Sequence, residues 1–165
     1  MRVLGVDTSL RSTGYGVLET HGSRLVAIDC GNIKNPAKLP LSACVAKIFE
    51  KISALVAEHK PDVVAVEQVI YAKNASSMLI LGEARGAVIA AATIAGVPIY
   101  EYEPRRAKRA VCGNALAEKE QVQRMIKTLL ALPEIPQNDA ADALALAIAH
   151  VHSNRFAALS VEEPI

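Results

Sequence analysis

Two short runs of branched apolar residues, Val3-Leu4-Gly5-Val6 and Val63-Val64-Ala65-Val66, each end on an acid, Asp7 and Glu67. Between them Leu41, Val45, Ile48, Ile52, Leu55 and Val56 recur at helical spacing, so the span from about Leu41 to His59 reads as an amphipathic helix. Near-continuous apolar runs of this length are what strands buried on both faces look like. A helix carried between two such strands implies a crossover and a parallel pairing. Asp139 and Asp142, three residues apart just after Pro136, open the Ala-Leu-rich stretch Ala140 to Ala149. Acids at i and i+3 on a helix project from one face, with Cβ atoms roughly 5–6 Å apart. If neighbouring strands aim Asp7 and Glu67 at that helix, four carboxylates converge. Such a cluster stays ionised near neutral pH only with cations to offset the repulsion, and two hard divalent ions form a phosphoryl-transfer site. Taken singly, each acid has a plainer reading as a solvated loop residue, and Asp139 as a stabiliser of its helix start.

The rest of the chain fits around these elements. Gly14 to Leu18 and Leu25 to Ile33 read as two strands joined by a turn at His21-Gly22-Ser23, making an antiparallel meander with Val3 to Asp7. Ser76 to Ala95 reads as a second helix stopped by Gly96, and Val97 to Tyr102 as a fifth strand. Helices follow over Pro104 to about Val111, Ala117 to Leu130 and Asn138 to His152. The expected fold is α/β: a five-stranded mixed sheet, three strands antiparallel and two parallel, flanked by helices. Residues 1–155 are read as a single domain and residues 156–165 as a disordered tail.

At 165 residues the chain can bury a proper core, and with two Phe, four Tyr and no Trp that core must be aliphatic and alanine-rich. The net charge of +1 neither favours nor excludes a nucleic-acid partner, because an acidic cluster masks basic residues elsewhere. Cys30, Cys44 and Cys112 stand in no ligand or disulfide spacing and read as buried apolar residues of a reducing compartment. The opening run reads as a strand rather than a signal peptide. Gly86 to Tyr100, the longest uncharged stretch, is broken by Gly96 and Pro98 and too short to span a bilayer. A cytoplasmic protein without a membrane partner is expected.

Three further groupings carry open readings. Asp7 to Tyr15 with Gly14 and Gly16 fits the hairpin of a two-metal nuclease, the phosphate hairpin of an actin-like ATPase, or a simple tight turn. Arg105, Arg106, Lys108 and Arg109, with Lys119 beyond and Lys73 and Arg85 elsewhere, form either a solvated face or, if they border the acids, phosphate contacts. Gly82, Gly86 and Ala90 make a stripe of small residues that suits either packing on the protein's own sheet or a helix-to-helix dimer contact. His21 and His59 are expected at solvated turns, with His150 and His152 at a helix C-terminal end.

With these residues in view the chain resembles the RuvC family of bacterial Holliday-junction resolvases over Arg2 to His152. The resemblance rests on Gly5-Val6-Asp7 with Thr13-Gly14-Tyr15-Gly16, Glu67-Gln68-Val69 with Ala72-Lys73-Asn74, Ala117-Glu118-Lys119, and Asp139-Ala140-Ala141-Asp142-Ala143-Leu144. It implies a ribonuclease H-like fold and a homodimer that nicks two like-polarity strands of a four-way DNA junction. It implies Asp7, Glu67, Asp139 and Asp142 as catalytic, metal-holding acids for Mg²⁺, two per subunit, with Mn²⁺ as a substitute. DNA contacts are implied for Gln68, Ile70, Tyr71, Lys73, Asn74, Arg105, Lys108 and Lys119, and a branch-migration helicase complex of the RuvA and RuvB type as partner. The family carries an aromatic directly after Glu-Gln-Val; here that position is Ile70, and the aromatic is Tyr71. Either Tyr71 stacks at the junction centre or Ile70 acts as an apolar wedge.

Two other classes compete. A ribonuclease H-like nuclease could act instead on RNA–DNA hybrids or other branched DNA. An actin-like ATPase needs a second lobe for which this length has no room, and four retained acids would only weaken a non-catalytic DNA-binding module.

Overall fold

The structure, a computed structural model, describes residues 1–69, 74–155 and 163–165. Chain order is β1 (Arg2–Asp7), β2 (Ser12–His21), β3 (Arg24–Lys34), α1 (Leu41–His59), β4 (Val63–Glu67), α2 (Ala75–Ile94), β5 (Ile99–Tyr102), α3 (Pro104–Cys112), α4 (Lys119–Leu129) and α5 (Asn138–Arg155). The strands form one sheet in the order β3-β2-β1-β4-β5. β1, β2 and β3 pair antiparallel, and β4 runs parallel to both β1 and β5. The register Val6↔Val66 brings β1 and β4 to a common end, where Asp7 and Glu67 emerge side by side.

Strand alternation sorts the core into two layers. Leu4, Val6, Val64 and Val66 face α1 and α2, packing with Ile48, Ile52, Val88 and Ala92. Val3, Val63 and Ala65 face the other way, onto Leu144, Ala147 and Ile148 of α5. Asp7 and Glu67 continue the second series, two residues beyond Gly5 and Ala65, and so leave the sheet on the α5 side. α5 is buried nearly all round, as a helix rich in Ala and Leu on every face must be. It lies directly on the strands: a Cβ at Gly5 would fall 1.9 Å from the Ala143 carbonyl oxygen, and one at Gly14 would fall 2.0 Å from that of Asp139. Only residues without a side chain allow that approach.

α1 ends as Lys60 turns left-handed at φ 47° and donates its N–H to Val56. Arg2 then ties this corner to the sheet, its N–H on the Asp62 carboxylate at 2.6 Å and its guanidinium on the His59 carbonyl at 2.5 Å. β5 starts at Ile99 rather than Val97. The Val97 N–H closes α2 onto Ala92, and Pro98 has no N–H to give the ladder. α4 starts at Lys119 rather than Ala117, because Ala117 is spent in the core and Glu118 caps the helix in an extended conformation. Of the expected tail, residues 156–162 lie outside the described residues, and Ile165 donates its N–H to the Ile99 carbonyl at 3.0 Å.

His59 is not solvated: its side chain is 12% exposed, and Nε2 lies 3.4 Å from Asp29, though outside hydrogen-bonding geometry. His150 is buried mid-helix against Tyr100, with Nδ1 2.8 Å from the Tyr102 hydroxyl, because α5 runs on to Arg155. Cys44 is buried, but Cys30 and Cys112 are only half-buried. α2 is long and apolar enough, by length and composition, to cross a bilayer. One face packs on α1 and the sheet, and the other carries the exposed Leu79, Gly82, Gly86 and Ile94.

Candidate active site

Asp7 and Glu67 stand at the exits of two adjacent parallel strands, and Asp142 comes down on them from the second turn of α5. The electrostatics record how close they are. Burial, then the charges of Glu67, Asp142 and Asp139, push the Asp7 carboxyl up from 3.8 to about 7, against the pull of Lys119. Burial and then Asp142 raise Glu67, while Lys119 and Arg85 pull it down. Asp142 is raised by burial and by Asp139, and lowered by Lys119 and Lys108. Each acid is thus both desolvated and crowded by like charge. Among the described residues no three of these side chains close tightly enough to hold an ion unaided, so the cluster is an open cradle rather than a cage. Its donors are all carboxylate oxygens, the ligands that Mg²⁺, Ca²⁺ and Mn²⁺ prefer.

Asp139 sits at the first turn of α5 and is held from the sheet. The Ser12 hydroxyl donates to its Oδ2, and the Asn32 amide donates to the same oxygen at 2.7 Å. Glu67 is steadied differently. Buried Arg85 donates to the Glu67 main-chain carbonyl at 2.6 Å and pairs with Glu101. Arg85 is therefore a brace for β4 and β5, not a phosphate contact. Ser12 and Asn32 stand in no local pattern that marks them as site residues, and Arg85 is singled out by its charge alone.

The basic residues divide. Lys119, at the start of α4, acts on Asp7, Glu67 and Asp142, and Lys108 acts on Asp142 while donating to the Ala117 carbonyl at 2.8 Å. These two border the acids. Arg105 and Arg109 line a cleft of about 730 Å³ with Gln68, Tyr100 and Glu103. Arg106 stacks over Tyr102 at 5.3 Å and donates to Ser153 at 2.8 Å. Asn74 is the N-cap of α2, its side chain accepting from the Ser77 N–H at 3.2 Å. Ile70, Tyr71 and Lys73 lie outside the described residues. Gly82 and Gly86 are exposed, and among the described residues no other element comes within 4 Å of where a Cβ would stand, so this part of the stripe does not pack on the protein's own sheet.

A meander extended by two parallel strands, with acids at the exits of β1 and β4 beneath a helix bearing two more, defines the class: a ribonuclease H-like nuclease fold. The family model "Crossover junction endodeoxyribonuclease RuvC" matches residues 3–150, and the chain belongs to that family. A RuvC of Geobacter sp. (strain M21) is 49% identical over 159 residues, covering 96% of this chain and 97% of its own. That of Trichlorobacter lovleyi is 51% identical over 153 residues, 93% of this chain and 86% of the relative. T. thermophilus RuvC, solved in complex with a Holliday junction substrate, superposes with a TM-score of 0.88 at 29% identity, covering all of both chains.

Proposed function

We propose that the protein resolves four-way DNA (Holliday) junctions by metal-dependent phosphodiester hydrolysis, nicking two like-polarity strands from the two subunits of a homodimer. The observation that carries this reading is the meeting of Asp7, Glu67 and Asp142 on one face of the sheet, in a chain of this family. Asp7, Glu67, Asp139 and Asp142 would hold Mg²⁺, two ions per subunit, with Mn²⁺ as a substitute. Bound there, the ions supply polarisation of the scissile phosphate and a more acidic water.

The chain's own groups do the rest. Lys119 and Lys108 offset the acids' charge and favour approach of a phosphate. Arg105 and Arg109 suit the phosphates on either side of the scissile one. Ile70, Tyr71 and Lys73 follow Glu67 by three to six residues and so are suited to meet the crossover bases. The open stripe of Gly82, Gly86 and Ala90 lies between Leu79 and Ile94, which are 70% and 77% exposed. Such an apolar face fits self-association about a two-fold axis, as paired nicking of a pseudo-symmetric junction requires. Residues 1–155 serve as one nuclease domain, acting in the cytoplasm with a branch-migration helicase complex of the RuvA and RuvB type.

The test is cleavage of a mobile four-way junction with and without Mg²⁺, mapped to the nucleotide, beside plain duplex and an RNA–DNA hybrid. Paired, symmetric, Mg²⁺-dependent nicks in the junction alone are expected. Preference for the hybrid would overturn the reading.

A further inference from the structure

The four acids are not held alike. Asp7 and Glu67 are fixed by the strands that end on them, whereas Asp139 is gripped through its side chain by the far half of the meander. The Ser12 hydroxyl has one hydrogen and gives it to Asp139 Oδ2. The Asn32 amide nitrogen donates to the same Oδ2 at 2.7 Å and lies 3.1 Å from Ser12 Oγ. The three side chains form a closed triangle around Asp139 Oδ2. Gly14 lies opposite Asn32 in the ladder and two residues from Ser12, and its missing Cβ lets the Asp139 main chain settle between them. Asn32 Oδ1 is buried without a hydrogen-bond partner among the described residues. The reversed amide would turn that oxygen against the carboxylate, acceptor to acceptor, so the orientation that serves Asp139 prevails although it leaves an acceptor unpaired.

We propose that Ser12 and Asn32 are positioning residues for Asp139. They occupy one carboxylate oxygen and fix the rotamer, so that Asp139 presents its other oxygen alone to a cation. This rests on the reading of Asp139 as one of the metal-holding acids. Partners of this kind orient a ligand before the ion arrives, and their loss typically weakens metal affinity about 10–100-fold. The role differs from that of the lysines, because neither residue carries charge and neither need touch DNA.

The experiment measures Mn²⁺ binding to the DNA-free protein by calorimetry, and the Mg²⁺ dependence of junction cleavage, for Ser12→Ala, Asn32→Ala, Ser12→Thr and Asp139→Asn. Ser12→Ala and Asn32→Ala are expected to weaken Mn²⁺ binding and raise the half-saturating Mg²⁺ concentration about 10-fold or more. Their cleavage should recover at high Mg²⁺, and junction binding without divalent ions should not change. Ser12→Thr keeps the hydroxyl on a strand that tolerates β-branching and should restore wild-type Mg²⁺ dependence. If Asp139→Asn is defective while both alanine variants match wild type, the positioning role is overturned and the metal reading stands. A lower maximal rate at unchanged half-saturating Mg²⁺ also overturns it. If Asp139→Asn itself binds Mn²⁺ and cleaves as wild type, the assignment of Asp139 to the metal site fails, and this inference with it.

Discussion

Asp7→Asn should make the metal-free protein more stable at pH 8 while abolishing its cleavage. The Asp7 carboxyl is raised from 3.8 to about 7 by burial and by Glu67, Asp142 and Asp139. An acid raised in the folded state is a fold-weakening group once ionised. Its contribution is fully favourable below about pH 4 and is lost as pH rises through about 7. The whole displacement corresponds to roughly 4 kcal/mol at 1.36 kcal/mol per pH unit. Asp7 is only half-buried and stands beside two further raised acids, Glu67 and Asp142, so about 2 kcal/mol is the working figure. The amide keeps the carboxyl's shape without the charge. For a chain of this size, about 2 kcal/mol is roughly 4–8 °C in Tm. The assay is thermal unfolding in EDTA at pH 5 and pH 8, repeated at pH 8 with excess Mg²⁺. The variant should melt higher than wild type at pH 8, the gap should narrow at pH 5, and Mg²⁺ should raise wild type more than the variant. Equal or lower stability of Asp7→Asn at pH 8 in EDTA, with an unchanged pH profile, would refute the crowded-acid argument.

Gly86→Leu should give monomers by sedimentation that nick junctions singly at best; because the site is open, the monomer should be no less stable, helped by up to about 1 kcal/mol of helix propensity. Lys119→Ala and Arg105→Ala should each lower the slope of log affinity against log salt by about one unit for every phosphate left without its cation, measured by salt titration of junction binding. Tyr71→Ala should keep most junction affinity yet lose single-turnover cleavage of an intact junction, with rescue on a junction pre-opened by unpaired bases. Stacking of one aromatic on a base recovers roughly 1–3 kcal/mol. A defect in Ile70→Ala instead would assign the opening role to an apolar wedge.

The legible parts of this fold were those written in local pattern. Leu41–His59 and Val63–Glu67 appear in the structure with the bounds that periodicity assigns them, since one apolar stripe and one continuous run admit no rival reading. The positions of Asp7 and Glu67 followed from the same runs, each acid ending one, and those of Asp139 and Asp142 from the Ala-Leu-rich stretch that they open. Ser12 and Asn32 were not legible, because they meet Asp139 across 127 and 107 residues and neither sits in a pattern that names a partner. Arg85 misled for a related reason. On the helix it counts as one more cation, and only the return of β4 and β5 beneath it supplies the Glu67 carbonyl and Glu101 that absorb its charge. Asn74 shows that a residue in a family motif can have a local duty, here as the cap of α2.

The contact between α5 and the glycines of β1 and β2 bears on how such a protein can drift. Where most helices rest on a sheet through a cushion of side chains, this one rests main chain on main chain at Gly5 and Gly14. At those two points the gap between the acids of the strands and those of the helix is gauged by backbone thickness rather than by side-chain size. Exchange of Val for Ile or Leu for Met in the layer that faces α1 and α2 leaves that main-chain contact in place. A single methyl group at Gly5 or Gly14 would act as a shim, lifting Asp139 and Asp142 together and putting the site out of gauge while much of the core still packed.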